Sequence, residues 1–329
     1  MRAGWYERTG PARDVIVVGE MAAPAPGPGE VLVRLRSSGI NPSDYKRRAN
    51  TRAKMEFPRI VPHSDGAGVV AGLGAGVQGF REGDRVWVFN AQDRRPFGTA
   101  AEFIALPAFQ VRALPANASF EDGACLGIPA MTGHRAVFSQ GPVAGKTLYV
   151  PGAASRVGSY AVQFARWGGA RVIAAASSAA KAEAVAALGA DVVLRRDTLG
   201  DGLAEAILEA TGGRGVDRIC EIDLGANIKV SEKVLVDGGS IASYASAAEP
   251  TVTLTVSPRR ARNMVVELVF VYTMSDAAKD EAARDTIAAQ EAGALAHRIA
   301  GTFPLARLAE AHAAAESQAG TGHVVVTIP

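Results

Sequence analysis

Cysteine is scarce in this chain: there are two, Cys125 and Cys220. Two thiols cannot build a disulfide framework or a four-cysteine zinc site, so a reducing cytoplasm is the expected compartment. Long apolar runs are missing too. The greasiest stretch, residues 264–274, is interrupted by Glu267, and a membrane span needs about 20 such residues. The opening MRAGWYERTG puts no apolar run behind its positive charge, which argues against a signal peptide. Charge of one sign is also lacking, since 35 Lys and Arg face 33 Asp and Glu for a net +2. A dedicated nucleic-acid binder would show a strongly basic face. What the chain does have is an apolar fraction of 48%, enough for a full core, and 36 glycines that fall in clusters. Its 329 residues predict about two domains at roughly 150 residues each.

The first third reads as β-rich. Residues 15–18, 31–36, 69–70, 85–89 and 101–105 are short strand candidates separated by Gly, Pro and Asp, with a turn at 82–84. Many short strands at this spacing predict a partly closed antiparallel barrel. After about residue 119 the pattern changes to alternation. Strands at 147–150, 171–175, 191–194, 216–221 and 239–243 are separated by helices at 159–167, 179–188, 203–211 and 227–236. That alternation predicts an α/β unit with a doubly wound parallel sheet. Further helices are expected at 120–123, 130–138, 276–292 and 305–315, with strands at 265–272 and 323–328. There is no repeat at a solenoid period.

One glycine cluster carries chemistry. The strand 147–150 runs into Gly152-Ala153-Ala154-Ser155-Arg156-Val157-Gly158, and a helix is expected from residue 159. Gly152 permits a tight turn, Gly158 a close helix–sheet approach, and the small residues between them let a pyrophosphate reach backbone N–H groups. The middle glycine of the dinucleotide fingerprint is absent, so the strand–turn–helix context carries the reading. The next strand ends in Ser177 and Ser178, with Lys181 one turn on, and no acidic residue there to hold a ribose 2′-OH. Hydroxyls and an ammonium suit a 2′-phosphate. Arg195 and Arg196 close the third strand of this series, where they could reach the same end. NADPH is the cofactor this pattern predicts, although each cation taken alone is also an ordinary solvated residue.

Six segments in this order carry a resemblance: Gly39-Ile40-Asn41-Pro42-Ser43-Asp44, PHSDGAGVV from Pro62, Gly98-Thr99-Ala100-Ala101-Glu102-Phe103, IPAMT from Ile128, the glycine turn, and Gly322-His323-Val324-Val325-Val326. Together they resemble the medium-chain dehydrogenase/reductase superfamily, and within it the NADPH:quinone oxidoreductases of the zeta-crystallin type. The resemblance implies a GroES-like partly closed β-barrel domain over 1–124 and 270–329, and a Rossmann NADPH-binding domain over 125–269. It also implies a homodimer, with a tetramer open, a small-molecule quinone or enone substrate and no membrane. The positions matching the superfamily's catalytic zinc ligands are Asn41, Ser64 and Ile128, none of them a usual zinc ligand, so no metal is expected. His63 beside them reads more readily as a structural histidine.

By resemblance, Asn41 and Thr132 lie near the nicotinamide and its carboxamide, although Asn41-Pro42 is equally ordinary turn chemistry. Tyr45 and Lys46 are expected on the same loop. Quinone reductases often place a Tyr where Lys46 stands, so which of the two faces substrate stays open; either could bind or protonate a developing oxyanion. Ser243 and Tyr244 end a strand at the edge that faces a cofactor in this fold. Phe270 and Val271 resemble a segment that lines the nicotinamide pocket and pairs subunits, or they are plain core. Five positive residues in nine, Lys46, Arg47, Arg48, Arg52 and Lys54, read as a solvated loop, although an RNA-binding side function is described for such relatives. The expected function is NADPH-dependent reduction of a quinone. The alternatives are an alkenal or enone reductase, and a cofactor-binding redox sensor or structural protein without turnover.

Overall fold

The computed structural model describes residues 1–50, 54–245, 249, 251–317 and 322–329. The chain divides into two compact units, one of residues 1–129 with 297–329 and one of 130–296.

The first unit begins with β1 (Arg2–Trp5), α1 (Ala12–Val15) and β2 (Val17–Glu20). The strand expected from residue 15 starts only at Val17, because Pro11 opens a single helical turn before it. Next come β3 (Glu30–Ile40), α2 (Pro42–Ala49), β4 (Asp65–Leu73), β5 (Arg85–Val88), β6 (Phe103–Pro107), β7 (Val111–Ala113) and α3 (Phe120–Gly123). The segment with Tyr45 and Lys46, expected as a loop, is the helix α2. Asn41 is its N-cap and forms a capping box with Asp44, and Pro42 fills the first turn, where a missing N–H costs nothing. Arg48 of the basic run is fully buried, donating to Gly10 O and pairing with Glu316 at 2.7 Å, so the run is no continuous solvated face. Arg52 lies outside the described residues.

The second unit runs α4 (Met131–Phe138), β8 (Thr147–Val150), α5 (Arg156–Trp167), β9 (Arg171–Ala176), α6 (Ala179–Ala186), β10 (Val192–Arg195), α7 (Arg196–Leu199), α8 (Leu203–Ala210), β11 (Val216–Glu221), α9 (Leu224–Val234), β12 (Leu235–Ser243), α10 (Val256–Ala261), β13 (Val265–Leu268) and α11 (Asp276–Glu291). Its strands are all parallel, in the order β10-β9-β8-β11-β12-β13. That is the doubly wound arrangement, with its switch point between β8 and β11. Tyr149, Ile173, Ile219 and Ile241 from four neighbouring strands pack with Leu203, Ile207 and Val234 in one apolar cluster.

The return to the first unit falls at His297, whereas residue 270 was expected. The cause is α11, whose buried Ala282, Ala283 and Ala289 allow close approach to α4; Asp285 accepts from His134 there at 2.9 Å. The strand expected to reach residue 272 stops at Leu268. Val271 then turns inward, and Phe270 is 61% exposed.

The first unit is completed by β14 (Ile299–Pro304), α12 (Leu308–Ser317) and β15 (His323–Thr327). Strand β3 is its spine. One edge pairs with β4, while the other pairs with β6 along Glu30–Arg34 and with β15 along Ser37–Ile40. A register shift between Leu35 and Ser37 bends β3, and a single sheet thereby curls into a partly closed barrel. Val31, Val33, Leu35, Val86, Val88, Ile104, Leu106, Val324 and Val326 fill it. Among the described residues, no helix is long and apolar enough to cross a membrane.

Candidate active site

In the second unit the glycine turn joins β8 to α5 at the carboxyl end of the sheet. Its helix begins at Arg156, three residues before the expected start, because Ser155 is a working N-cap: its Oγ accepts from Gly158 N at 3.0 Å. Arg156, Val157 and Gly158 therefore form the first helical turn, where helix geometry gives the Val157 N–H no intrahelical acceptor. A Cβ on Gly158 would stand 2.0 Å from Gly152 O, and one on Gly152 would meet Ile222 Cδ1 at 2.8 Å. Both positions thus need glycine for space. Ala153 and Ala154 are buried and small. Tyr244 follows β12, and burial holds its hydroxyl well above its ordinary value while the Ser155 hydroxyl opposes that shift. Ser243 donates to Ala245 O at 3.3 Å, and Thr132 is buried on α4.

The ends of β9 and β10 lie side by side, with Arg195 in register with Ala176. Ser178 caps α6, its Oγ accepting from Lys181 N, and the Lys181 ammonium donates to Ser177 Oγ at 3.1 Å. Arg195 forks onto Asp197, Nε to Oδ1 at 3.2 Å and Nη2 to Oδ2 at 2.6 Å. Arg196 turns elsewhere, donating to Asn227 Oδ1 at 3.3 Å. Asn227 Nδ2 in turn donates to the buried Glu221 at 2.7 Å, and Glu221 also accepts from Asp223 N and Ser231 Oγ. So the structure brings Lys181 and Arg195 to adjacent strand ends and separates Arg196 from them. Asn227 escaped sequence reasoning because an Asn inside a helix has no signal of its own.

In the first unit the organising residue is Asp65, which the sequence left inside a glycine-rich motif. Its Oδ2 accepts from Asn41 Nδ2 at 2.7 Å and from Ile128 N at 2.9 Å, so two of the three zinc-ligand-like positions meet on one carboxyl. Asp65 is fully buried, and its Oδ1 has no hydrogen-bond partner among the described residues. Burial raises its pKa well above the carboxylate range, the Asp44 charge raises it further, and the two N–H donors only partly oppose this. Tyr45 is packed in the barrel core, and Lys46 beside it on α2 is exposed. Among the described residues, no group of three or more His, Cys, Asp or Glu is placed to hold a metal ion.

A buried polar chain lies close by. Thr99 Oγ donates to Asp65 O at 2.6 Å, so it accepts from Ser38 Oγ at 2.7 Å. Ser38 then accepts from His63 Nδ1 at 2.7 Å, and His63 Nε2 accepts from His312 Nε2 at 2.9 Å. His63 is thus a structural histidine, held at φ 79° and lowered by burial to about 3.

Residues 27–116 match the alcohol dehydrogenase GroES-like domain and residues 157–285 the zinc-binding dehydrogenase domain. Human quinone oxidoreductase is 29% identical over 297 residues, 89% of this chain and 87% of its own. The 2-methylene-furan-3-one reductase of Solanum lycopersicum is 34% identical over 200 residues, 59% of this chain and 52% of its own. Among solved structures, an NAD-dependent alcohol dehydrogenase superposes with a TM-score of 0.87 at 29% identity over 100% of both chains. A mycobacterial protein complexed with NADPH gives 0.83 at 26% identity, over 99% of this chain and 100% of its own. The barrel, the doubly wound sheet and its glycine turn make this chain a medium-chain dehydrogenase/reductase, an oxidoreductase. Quinone oxidoreductases are among its relatives within that superfamily, at 28% and 29% identity.

Proposed function

We propose that the chain reduces quinones with NADPH. The donor set at the end of β9 carries the reading: Ser177, Ser178 and Lys181, with Arg195 in register beside them and no carboxylate on that strand end. Such a set suits a 2′-phosphate and lacks the carboxylate that holds the ribose hydroxyls in NAD sites. The turn from Gly152 through Ala153, Ala154, Ser155, Arg156, Val157 to Gly158 would hold the pyrophosphate at the start of α5. Thr132, Ser243, Tyr244 and Val271 are assigned to the nicotinamide end, with Phe270 beside them. When bound, NADPH supplies the hydride. The relatives that are quinone oxidoreductases and the NADPH-bound mycobacterial neighbour support this assignment.

The chain's own residues bind and orient. Asp65 fixes the Asn41 amide by accepting from its Nδ2, so Asn41 meets a ligand in one orientation. Lys46, exposed on α2, is the group assigned to an oxyanion developing on the acceptor, while Tyr45 belongs to the barrel core. An electron-poor acceptor needs little polarisation, so hydride transfer to it makes few demands on these groups. A second reading, an enone reductase, is favoured by the Solanum lycopersicum relative and uses the same residues. A homodimer in the cytoplasm completes the proposal.

The test follows NADPH absorbance with a small quinone and with an enal. Faster turnover of the quinone supports the first reading, faster turnover of the enal the second, and NADPH binding without consumption the sensor. Lys181→Ala should weaken NADPH about five-fold, the loss of roughly 1 kcal/mol for one exposed charge-assisted contact. NADH should change by less than about two-fold, and equal losses for both cofactors would sink the 2′-phosphate assignment.

A further inference from the structure

The two arginines at the end of β10 are held in opposite ways. Arg196 is drawn toward Asn227, which is itself anchored on the buried Glu221. Arg195 stands beside the strand end that carries Ser177, and its fork is already occupied by Asp197 through two contacts at 3.2 and 2.6 Å. We propose that Asp197 is a specificity-determining residue: its carboxylate holds one donor edge of Arg195 and offsets the positive charge that an incoming 2′-phosphate would draw on. This deepens the NADPH reading above and rests on it.

The chemistry is a competition between oxyanions. A guanidinium offers five donors on two edges, and Asp197 takes the Nε and Nη2 edge of Arg195. A phosphate arriving at Lys181 and Ser177 can still reach the other edge, but it meets a cation already offset by a carboxylate. The Asp197 charge also stands near the phosphate and repels it. A cofactor ending in a 2′-hydroxyl has no call on Arg195 and is indifferent to the pair. Asp197 therefore lowers the preference for NADPH over NADH without touching the pyrophosphate turn. The pair is solvent-screened, with side chains 41% and 35% exposed, so the effect is modest.

Calorimetric titration with 2′,5′-ADP and 5′-AMP tests this without turnover. Asp197→Asn should tighten 2′,5′-ADP about five-fold and leave 5′-AMP within about two-fold. Arg195→Ala should weaken 2′,5′-ADP and remove the gain from Asp197→Asn in the double variant. Asp197→Ser should repeat the gain, which excludes a packing effect of the asparagine. If Asp197→Asn leaves 2′,5′-ADP unchanged while Arg195→Ala weakens it, the role of Asp197 is overturned and the NADPH reading stands. Equal tightening of both ligands also overturns that role. Equal affinity of the wild type for the two ligands overturns both readings.

Discussion

Two polar clusters, one in each unit, are built differently. In the barrel unit, Asp65, Asn41, Ser38, Thr99, His63 and His312 are all buried, and their hydrogen bonds run in one direction from ring to hydroxyl to carbonyl. In the sheet unit, Lys181, Arg195 and Asp197 sit at strand ends in solvent. A buried network fixes orientation and is costly to break, because each orphaned donor loses water as well as its partner. Exposed cations contribute little singly but can be exchanged between partners. The first arrangement suits holding reacting groups in place, and the second suits choosing a ligand.

Three perturbations probe this contrast. The largest effect is expected where backbone meets backbone: Gly158→Ala puts a Cβ 2.0 Å from Gly152 O, which should cost about 3 kcal/mol in urea unfolding and abolish nucleotide binding. Retained binding would show that the turn can widen. Next, Asp65→Ala orphans the Asn41 and Ile128 donors and should cost about 2 kcal/mol. Asp65→Asn keeps an acceptor and should cost less than about 1 kcal/mol. Equal losses for the two variants would show that hydrogen bonding at Asp65 is not what matters.

The third is a pH effect in the barrel. His63 is lowered to about 3 in the folded chain by burial, and His312 is lowered by burial, His63 and Arg48. A depressed histidine stabilises above its unfolded value and loses that contribution as pH falls toward the folded one. Cooling of Tm should therefore set in below about pH 6.5, and His63 should contribute about 2 kcal/mol by pH 5. His312→Gln should flatten the slope between pH 7 and 5, and an unchanged slope would show that His312 carries none of the acid lability.

Much of the fold was legible. Residues 147–150 and 216–221 are strands to the residue: TLYV is a short apolar segment between Lys146 and Pro151, and VDRICE follows the turn glycine Gly215 with Val, Ile and Cys buried among its charges. The start of α5 was misplaced because Gly158 reads as the end of a turn, although Ser155 already caps the helix. Helix α2 was hidden by Asn41-Pro42, a pair that opens loops and helices alike. The border at His297 depends on which neighbour α11 packs against, and periodicity alone does not say that. Of the candidate site, the glycine turn and Lys181 were visible as local pattern. Asp65 and Asn227 were not, since each matters through a partner distant in sequence: Asn41 and Ile128 for one, Arg196 and Glu221 for the other.

The place of β15 has a consequence for biosynthesis. It lies between β14 and β3, so the inner sheet of the barrel unit is closed by a segment translated after the whole of the sheet unit. The continuous stretch 130–296 can fold as soon as it leaves the ribosome. Until residue 327 follows, the Ser37–Ile40 edge of β3 waits unpaired. The barrel unit is therefore the last to be completed, although its first strands are the first to leave the ribosome. The nascent chain carries an open strand edge, the kind of surface that templates aggregation, through most of its synthesis.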